Sequence, residues 1–350
     1  MTATVSIQGR LVGQGEPAYV IGEMSANHGH RYDDAVSLVH AAKEAGADAV
    51  KLQTYTPDTI TIDCYRPEFL ITGGSLWDGR RLYELYGEAY MPWDWQPKLK
   101  AIADDLGIHL FSTPFDFTAV DFLEAMEVPD YKIASLELVD IPLIQRVART
   151  GKPVIMSTGA STLGEIADAV SAYRVANNQA LALLKCTSAY PAPLEEMNLA
   201  TIPHLAAAFD VPVGLSDHTL GIAAPVAAVA LGACIIEKHF TLSRSVPGPD
   251  SAFSLEPDEF RAMVKAVRET EEALGKVSYE ITEHEAPSRA FRRYLYVVRD
   301  MRAGEPFTED TVCSIRPSNG LSPKHLGEVL GRCASRDIAA GTPLSWELLG

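Results

Sequence analysis

Two histidines carry the sharpest chemical signal in the chain. His218 and His239 are too far apart for a local ligand motif, yet each closes an apolar run, Val213–His218 and Ala233–Phe240. Two consecutive strands ending in this way would set the two imidazoles side by side. Neutral imidazoles with open positions suit a divalent ion, and oxygen donors nearby favour a labile Mn²⁺-type or Mg²⁺-type site over closed structural zinc. Two ordinary strand-end histidines would show the same spacing, so the pair alone leaves both readings open. Period-two alternation adds weight, because it puts Ser216 with His218 and Glu237 with His239 on one strand face.

Lys51 and Gln53 share a face at the end of the run Ala49–Thr54, and Lys132 opens Tyr131–Ser135, with Ser135 at its end and Glu137 just beyond. A lysine inside a strand layer is costly to bury unless it meets an anion. The hydroxyls of Thr113, Ser157 and Ser216 fall at other strand ends, and together these groups describe a pocket for a small phosphate or carboxylate. Taken singly, each hydroxyl could equally cap its strand. Glu23, at the end of Ala18–Ser25, could act as a base or orient a water, or could simply pair with Lys51. Asn27-His28 reads as site lining or as a turn. Trp77 and Tyr83 lie in a long insertion, where they would contact substrate or hold the loop down. Arg316 reads, from its surroundings, as a solvated surface arginine.

The elements that must position these groups follow from periodicity. Eight short apolar runs ending in polar residues alternate with helical stretches: Ala18–Ser25, Ala49–Thr54, His109–Pro114, Tyr131–Ser135, Pro153–Thr158, Leu181–Cys186, Val213–His218 and Ala233–Phe240. Over Asp34–Ala45 the apolar positions Ala35, Leu38, Val39 and Ala42 have helical spacing, and Gly46 follows as a stop. Thr162 and Glu165 form a capping-box pattern opening a helix with Ile166, Ala169, Val170 and Tyr173 on one face. Eight strand-then-helix units predict an α/β fold, a (β/α)₈ (TIM) barrel. An open doubly wound sheet would show the same alternation, but no GxGxxG follows the first strand, and the polar residues end nearly every strand instead of gathering at one switch point. The segment from Tyr55 to Pro92 is far longer than a usual βα loop of a few residues and is read as a substrate-covering insertion. After a last helix near Pro257–Leu274, turn signals at Arg302–Gly304, Pro317–Gly320, Gly331 and Ala340–Gly341 predict a small, mostly β domain. The boundaries are placed at 1–280 for the barrel, 281–289 for a linker and 290–350 for the C-terminal domain.

Composition narrows the partners. The chain has 350 residues, 47% hydrophobic and 22% charged, and a formal charge of −16. That balance builds a core, and that charge repels nucleic acid and anionic membranes. The first residues lack the apolar run of a signal peptide and no window suits a membrane span, so a cytoplasmic location is expected. Five cysteines at wide spacings support neither a disulfide framework nor a zinc knuckle. Cys186 and Cys234 are expected as buried, reduced thiols.

The ordered motifs Ile21–His28, Lys51–Thr54, Ser112–Phe115, Tyr131–Ser135, Ser157–Gly159, Cys186–Pro191, Gly214–His218 and Glu237–Phe240 together resemble the sialic acid synthase family. The tail, through Asp300–Gly304, Ser314–Pro317 and Asp337–Gly341, resembles that family's antifreeze-like (SAF) domain. Gln53–Asp58, Gly73–Asp78, Arg81–Tyr86 and Asp250–Leu255 are most similar to its pseudaminic acid branch. The resemblance implies condensation of phosphoenolpyruvate with an N-acetylated 6-deoxy amino sugar, 2,4-diacetamido-2,4,6-trideoxy-L-altrose, releasing phosphate by C–O cleavage. It gives the metal to His218 and His239, and phosphoenolpyruvate to Lys51, Thr113, Lys132, Ser135, Ser157 and Ser216. Glu23 becomes the water-activating carboxylate. The sugar falls to Gln53, Glu137, Tyr190 and Asp250, with Trp77 and Tyr83 shaping the space around it. It further implies a domain-swapped homodimer, in which Arg316 of the partner subunit reaches the sugar and is no longer a bland surface residue. A sibling synthase acting on N-acetylmannosamine or a legionaminic acid precursor is the rival within the family. A non-catalytic carbohydrate- or ice-binding protein is the rival outside it.

Overall fold

The barrel strands are β3 (Tyr19–Glu23), β4 (Ala49–Thr54), β5 (His109–Pro114), β6 (Tyr131–Ile133), β7 (Val154–Ser157), β8 (Leu181–Cys186), β9 (Val213–Asp217) and β10 (Ile235–His239). All are parallel, each pairs with the next, and β10 pairs with β3, so the sheet closes on itself in this computed structural model. Residues 3–176 and 178–350 are described. The chain divides into two compact units, Met1–Gly275 and Lys276–Gly350. Among the described residues no helix is long and apolar enough to cross a membrane.

Each of the eight expected runs became a barrel strand, because strands covered on both faces need near-continuous apolar sequence. The helices α1 (Tyr32–Glu44), α4 (Gln96–Leu106), α5 (Phe117–Ala125), α6 (Ile141–Ala148), α7 (Leu163–Val175), α8 (Thr201–Phe209), α9 (Ala223–Ala230) and α10 (Pro257–Leu274) alternate with the strands. Helix α1 starts slightly earlier than its pattern suggested and buries Ala35, Leu38, Val39 and Ala42, the four positions read from the sequence. Helix α7 opens with the foreseen capping box: Glu165 N–H donates to Thr162 Oγ1, and Thr162 N–H to Glu165 Oε2.

Two parts were not foreseen. Strands β1 (Thr4–Ile7) and β2 (Arg10–Gly13) form an antiparallel hairpin, whose Val5, Ile7 and Val12 pack with Tyr19, Ile21, Phe111, Ile155, Leu184 and Ile235. Those barrel residues point inward, so the hairpin closes the N-terminal end of the barrel. Its four-residue strands are too short to announce themselves by periodicity. The insertion, expected as a loop, contains α2 (Pro57–Ile60) and α3 (Leu82–Ala89), tied by a bridge between Leu70 and Arg81.

The second unit pairs β11 (Tyr294–Val297) with β12 (Val312–Ile315), antiparallel, and adds isolated bridges and the short helix α11 (Leu326–Val329). Its own core includes Leu295, Val297, Phe307, Val312, Ile338 and Leu344. Gly320 shows why the turn signals were informative. Its φ is +92°, and a Cβ there would stand 2.7 Å from the Leu344 carbonyl oxygen, a position open only to glycine.

Candidate active site

Alternation along the strands sorts the barrel interior into layers. Above the apolar layer of Ile21, Phe111, Ile155, Leu184 and Ile235 lies a polar one built by the next inward residues: Glu23, Lys51, Thr113, Lys132, Ser157, Cys186, Ser216 and Glu237. All eight are buried. Lys51 Nζ pairs with Glu23, donates to Thr113 Oγ1 at 3.3 Å and stands 3.9 Å from Glu237 Oε2. Lys132 Nζ donates to Ser157 Oγ at 2.6 Å and lies 3.8 Å from Glu237 Oε1, which also accepts from Ser216 Oγ at 2.9 Å. The sequence placed these lysines and hydroxyls on separate strand ends, and the barrel brings them together.

The layer is close to charge-balanced, two ammonium groups against two carboxylates. Burial pushes the Glu23 carboxyl up to about 7, with Glu237 adding and Lys51 opposing. Burial also lowers Lys132, partly offset by Glu237. For Lys51 burial is outweighed by Glu23 and Glu237, so it stays firmly protonated. Glu23 does pair with Lys51, the plainer of the two sequence readings. Its other oxygen accepts from Ser25 N–H at 3.0 Å and from Gln53 Nε2 at 3.4 Å.

Above this layer opens a cavity of about 650 Å³. Its polar lining includes Gln53, Ser135, Glu137, Tyr190, His239 and Asp250. Asp250 accepts from Ser25 Oγ and from Ala26 N–H. Trp77 also lines the cavity, its indole donating to the Pro249 carbonyl at 3.1 Å and its ring centroid 5.6 Å from that of Tyr190.

Tyr83 is a correction, since it does not line the cavity. Its hydroxyl donates to Asp58 Oδ1 at 3.0 Å, on the other side of α3, while Leu82, Leu85, Tyr86 and Ala89 face inward. Those four positions have helical i, i+3, i+4, i+7 spacing, a pattern present in the sequence inside a segment whose length alone reads as a loop. Ser25, Tyr55 and Ser188 also line the cavity without any sequence signal that marks them out. Glu237, which alternation set on one face with His239, is buried in the polar layer beneath it. Cys186 and Cys234 are buried as expected, but Cys186 faces the site, its Sγ 3.9 Å from His218 Nδ1. Asn27 is a structural brace, donating to the Phe240 carbonyl and Ser254 Oγ. Arg316 lies exposed in the second unit, just after β12.

The rings of His218 and His239 stand 5.3 Å apart, centroid to centroid. Tyr190 packs on the first at 4.4 Å and Phe253 on the second at 4.9 Å. His218 Nδ1 lies 3.0 Å from the Thr187 carbonyl, to which it donates, so Nε2 is the nitrogen left for another partner. His239 Nδ1 is buried with no hydrogen-bond partner. Burial, reinforced by His218, holds the His239 ring far below its usual pKa and therefore neutral. For His218 burial is outweighed by Cys186 and the Thr187 carbonyl, which raise it above its usual pKa. An orphaned, neutral imidazole beside a second one whose tautomer is fixed fits a divalent ion. Among the described residues no group of three or more His, Cys, Asp or Glu side chains could hold a metal. An ion here would thus take two nitrogens from the protein and oxygens from water or substrate.

Comparison with known proteins agrees with this geometry. Residues 38–279 match the NeuB family model and residues 292–350 the SAF domain model. The chain is 47% identical over 326 residues to a pseudaminic acid synthase of Campylobacter jejuni, covering 93% of this chain and 95% of that protein. It is 44% identical to a pseudaminic acid synthase of Helicobacter pylori, covering 94% and 97%. The crystal structure of an N-acetylneuraminic acid (sialic acid) synthetase from Leptospira borgpetersenii, in complex with citrate, superposes with a TM-score of 0.73 at 30% identity, covering 82% of this chain and 95% of that one. With barrel and tail both matched, this chain is an enzyme that belongs to the NeuB family and carries a SAF domain.

Proposed function

We propose that this enzyme condenses phosphoenolpyruvate with 2,4-diacetamido-2,4,6-trideoxy-L-altrose to give pseudaminic acid and phosphate. The observation that carries the reading is the pair of buried lysines, Lys51 and Lys132, directly below a cavity whose lining mixes polar and apolar groups. Two cations at that depth suit an anion that is small and doubly functional, such as an enol phosphate bearing a carboxylate. Thr113, Ser135, Ser157 and Ser216 supply hydroxyls around the same space. Gln53, Glu137, Tyr190 and Asp250 would take the sugar's hydroxyl and acetamido groups. The apolar side formed by Tyr55, Leu82, Leu85, Tyr86 and Phe115 suits the 6-methyl group, where a precursor with a 6-hydroxyl would leave that hydroxyl unpaired.

In the reaction, C3 of phosphoenolpyruvate forms the new carbon–carbon bond to the sugar's aldehyde carbon. Water adds to C2, and the C2–O bond to phosphate breaks. The two protons of that water end on the new hydroxyl and on the departing phosphate. Glu23, pushed up to about 7, would accept a proton from the water and pass it on near neutral pH. Lys51 and Lys132 hold the phosphate and carboxylate and stabilise negative charge as the phosphate leaves. A divalent ion held by His218 and His239, Mn²⁺ or Mg²⁺ in type, would supply Lewis-acid polarisation of the aldehyde oxygen. We also carry the family's domain-swapped homodimer to this chain, with Arg316 of the partner subunit at the sugar.

The test is phosphate release from phosphoenolpyruvate with Mn²⁺, comparing the diacetamido-trideoxy-L-altrose with N-acetylmannosamine, with and without chelator. Chelator-sensitive release with the altrose alone is expected. Release with N-acetylmannosamine instead overturns the sugar assignment, and release that survives chelation overturns the metal assignment.

A further inference from the structure

Behind the two histidines, on the outer face of the barrel wall, lies an ion pair that the mechanism does not use. Asp217 and Lys238 occupy paired positions on β9 and β10, and both side chains are completely buried. Lys238 Nζ donates to Asp217 Oδ2 at 2.5 Å and to the Thr219 carbonyl. Asp217 also accepts from Thr219 N–H at 2.9 Å and from Thr219 Oγ1 at 3.2 Å. The two side chains therefore grip Thr219 at its amide, hydroxyl and carbonyl, and the loop so closed encircles the backbone of His218.

Neighbours along a strand point to opposite faces, so Asp217 and Lys238 point out while His218, the residue just past the end of β9, and His239, the last of β10, point in. Desolvating two charges is expensive, and a buried pair is often no more stabilising than apolar residues of the same shape. Stability alone is thus a poor reason for this pair, whereas fixing the mutual register of two strand ends is a specific one. The ring of His239 has no hydrogen bond at Nδ1, so its placement relative to His218 depends on backbone position. We propose that Asp217 and Lys238 are positioning residues, which hold His218 and His239 at the separation a divalent ion requires. This rests on the assignment of the metal to those histidines.

The experiment uses the full chain carrying Asp217→Asn together with Lys238→Met, which removes both charges, keeps an amide oxygen for Thr219 N–H and retains the length of the lysine stem. Binding of Mn²⁺ alone is titrated by the electron paramagnetic resonance signal of the free ion. Phosphoenolpyruvate binding without metal and thermal melting are measured beside it. The expected result is a folded protein with nearly unchanged phosphoenolpyruvate affinity and Mn²⁺ affinity roughly 10- to 100-fold weaker, the range for partners that orient metal ligands. A folded double variant that binds Mn²⁺ as the parent does overturns the proposal, and so does an equal loss of both affinities, which would mark a general structural role. If the double variant does not fold, Thr219→Val, which deletes one hydroxyl of the clamp, is read in the same way: weaker Mn²⁺ binding supports the proposal and unchanged binding overturns it. His218→Ala and His239→Ala separate this from the metal assignment. If they bind Mn²⁺ as tightly as the parent, the assignment itself fails and the proposal falls with it.

Discussion

Replacing Lys132 with methionine isolates the anion-binding function of the buried layer. The ammonium group is lost, but the stem that fills the barrel is nearly preserved. In the protein as it stands, Lys132 donates to Ser157 Oγ and to the Ile133 carbonyl and faces Glu237 at 3.8 Å. Glu237 keeps Ser216 Oγ and Lys51, so the variant does not strand a wholly unpartnered carboxylate, and the barrel should fold. What the substrate loses is one charge-assisted contact to its phosphate or carboxylate. Such a hydrogen bond contributes about 1.5–3 kcal/mol. At about 1.4 kcal/mol per tenfold, phosphoenolpyruvate should bind Lys132→Met roughly 10- to 150-fold more weakly. Isothermal titration of phosphoenolpyruvate into parent and variant, with circular dichroism to establish folding, reads this directly. A folded variant with parental phosphoenolpyruvate affinity would refute the reasoning, because the cation would then be serving Glu237 and not the substrate.

Four other outcomes are expected. Gly159→Ala should cripple turnover while leaving the barrel folded, because the added Cβ would come within 2.2 Å of Ser188 Oγ, 2.8 Å of Ser135 Oγ and 3.0 Å of Cys186 Sγ; parental kinetics would show that those side chains yield freely. Asp130 is fully buried with both carboxyl oxygens unpartnered, and burial pushes it from 3.8 up to about 8. The folded state then holds a proton that the unfolded chain releases, so this group's contribution to stability is greatest below about pH 4 and is lost as pH rises through about 8, at up to ~1.4 kcal/mol per pH unit. Asp130→Asn should gain stability over the parent as pH rises, and melting curves at pH 5 and pH 8 that keep a constant gap would count against it. Arg316→Ala should impair turnover without lowering the melting temperature, and removal of the chain after residue 284 should leave a folded barrel with little activity; full activity in either protein argues against the proposed swapped dimer.

Much of the barrel is legible in local residue patterns. Eight buried parallel strands must be written as apolar runs, which is why Ala49–Thr54 and His109–Pro114 could be read to the residue. Helix faces and capping are local, so the apolar stripe of α1 and the Thr162–Glu165 cap were visible without any fold. Side-chain alternation put Lys51 with Gln53, Ser216 with His218 and Glu237 with His239 on shared strand faces in advance, because period two is a property of the strand alone.

Whatever depends on which strands become neighbours is settled only when the barrel closes. The two lysines lie on strands far apart in the sequence, and barrel closure makes them share Glu237; no spacing rule links residues 51, 132 and 237. The hairpin at the N-terminal end has meaning only against the barrel interior it covers. Tyr83 and Tyr86 are equivalent as residue types, and the rotation of α3 alone sends one to Asp58 and the other to the cavity. The grip of Asp217 and Lys238 on Thr219 likewise follows from the register of β9 against β10, because two charges can meet behind a barrel wall only where the ladder sets them opposite each other.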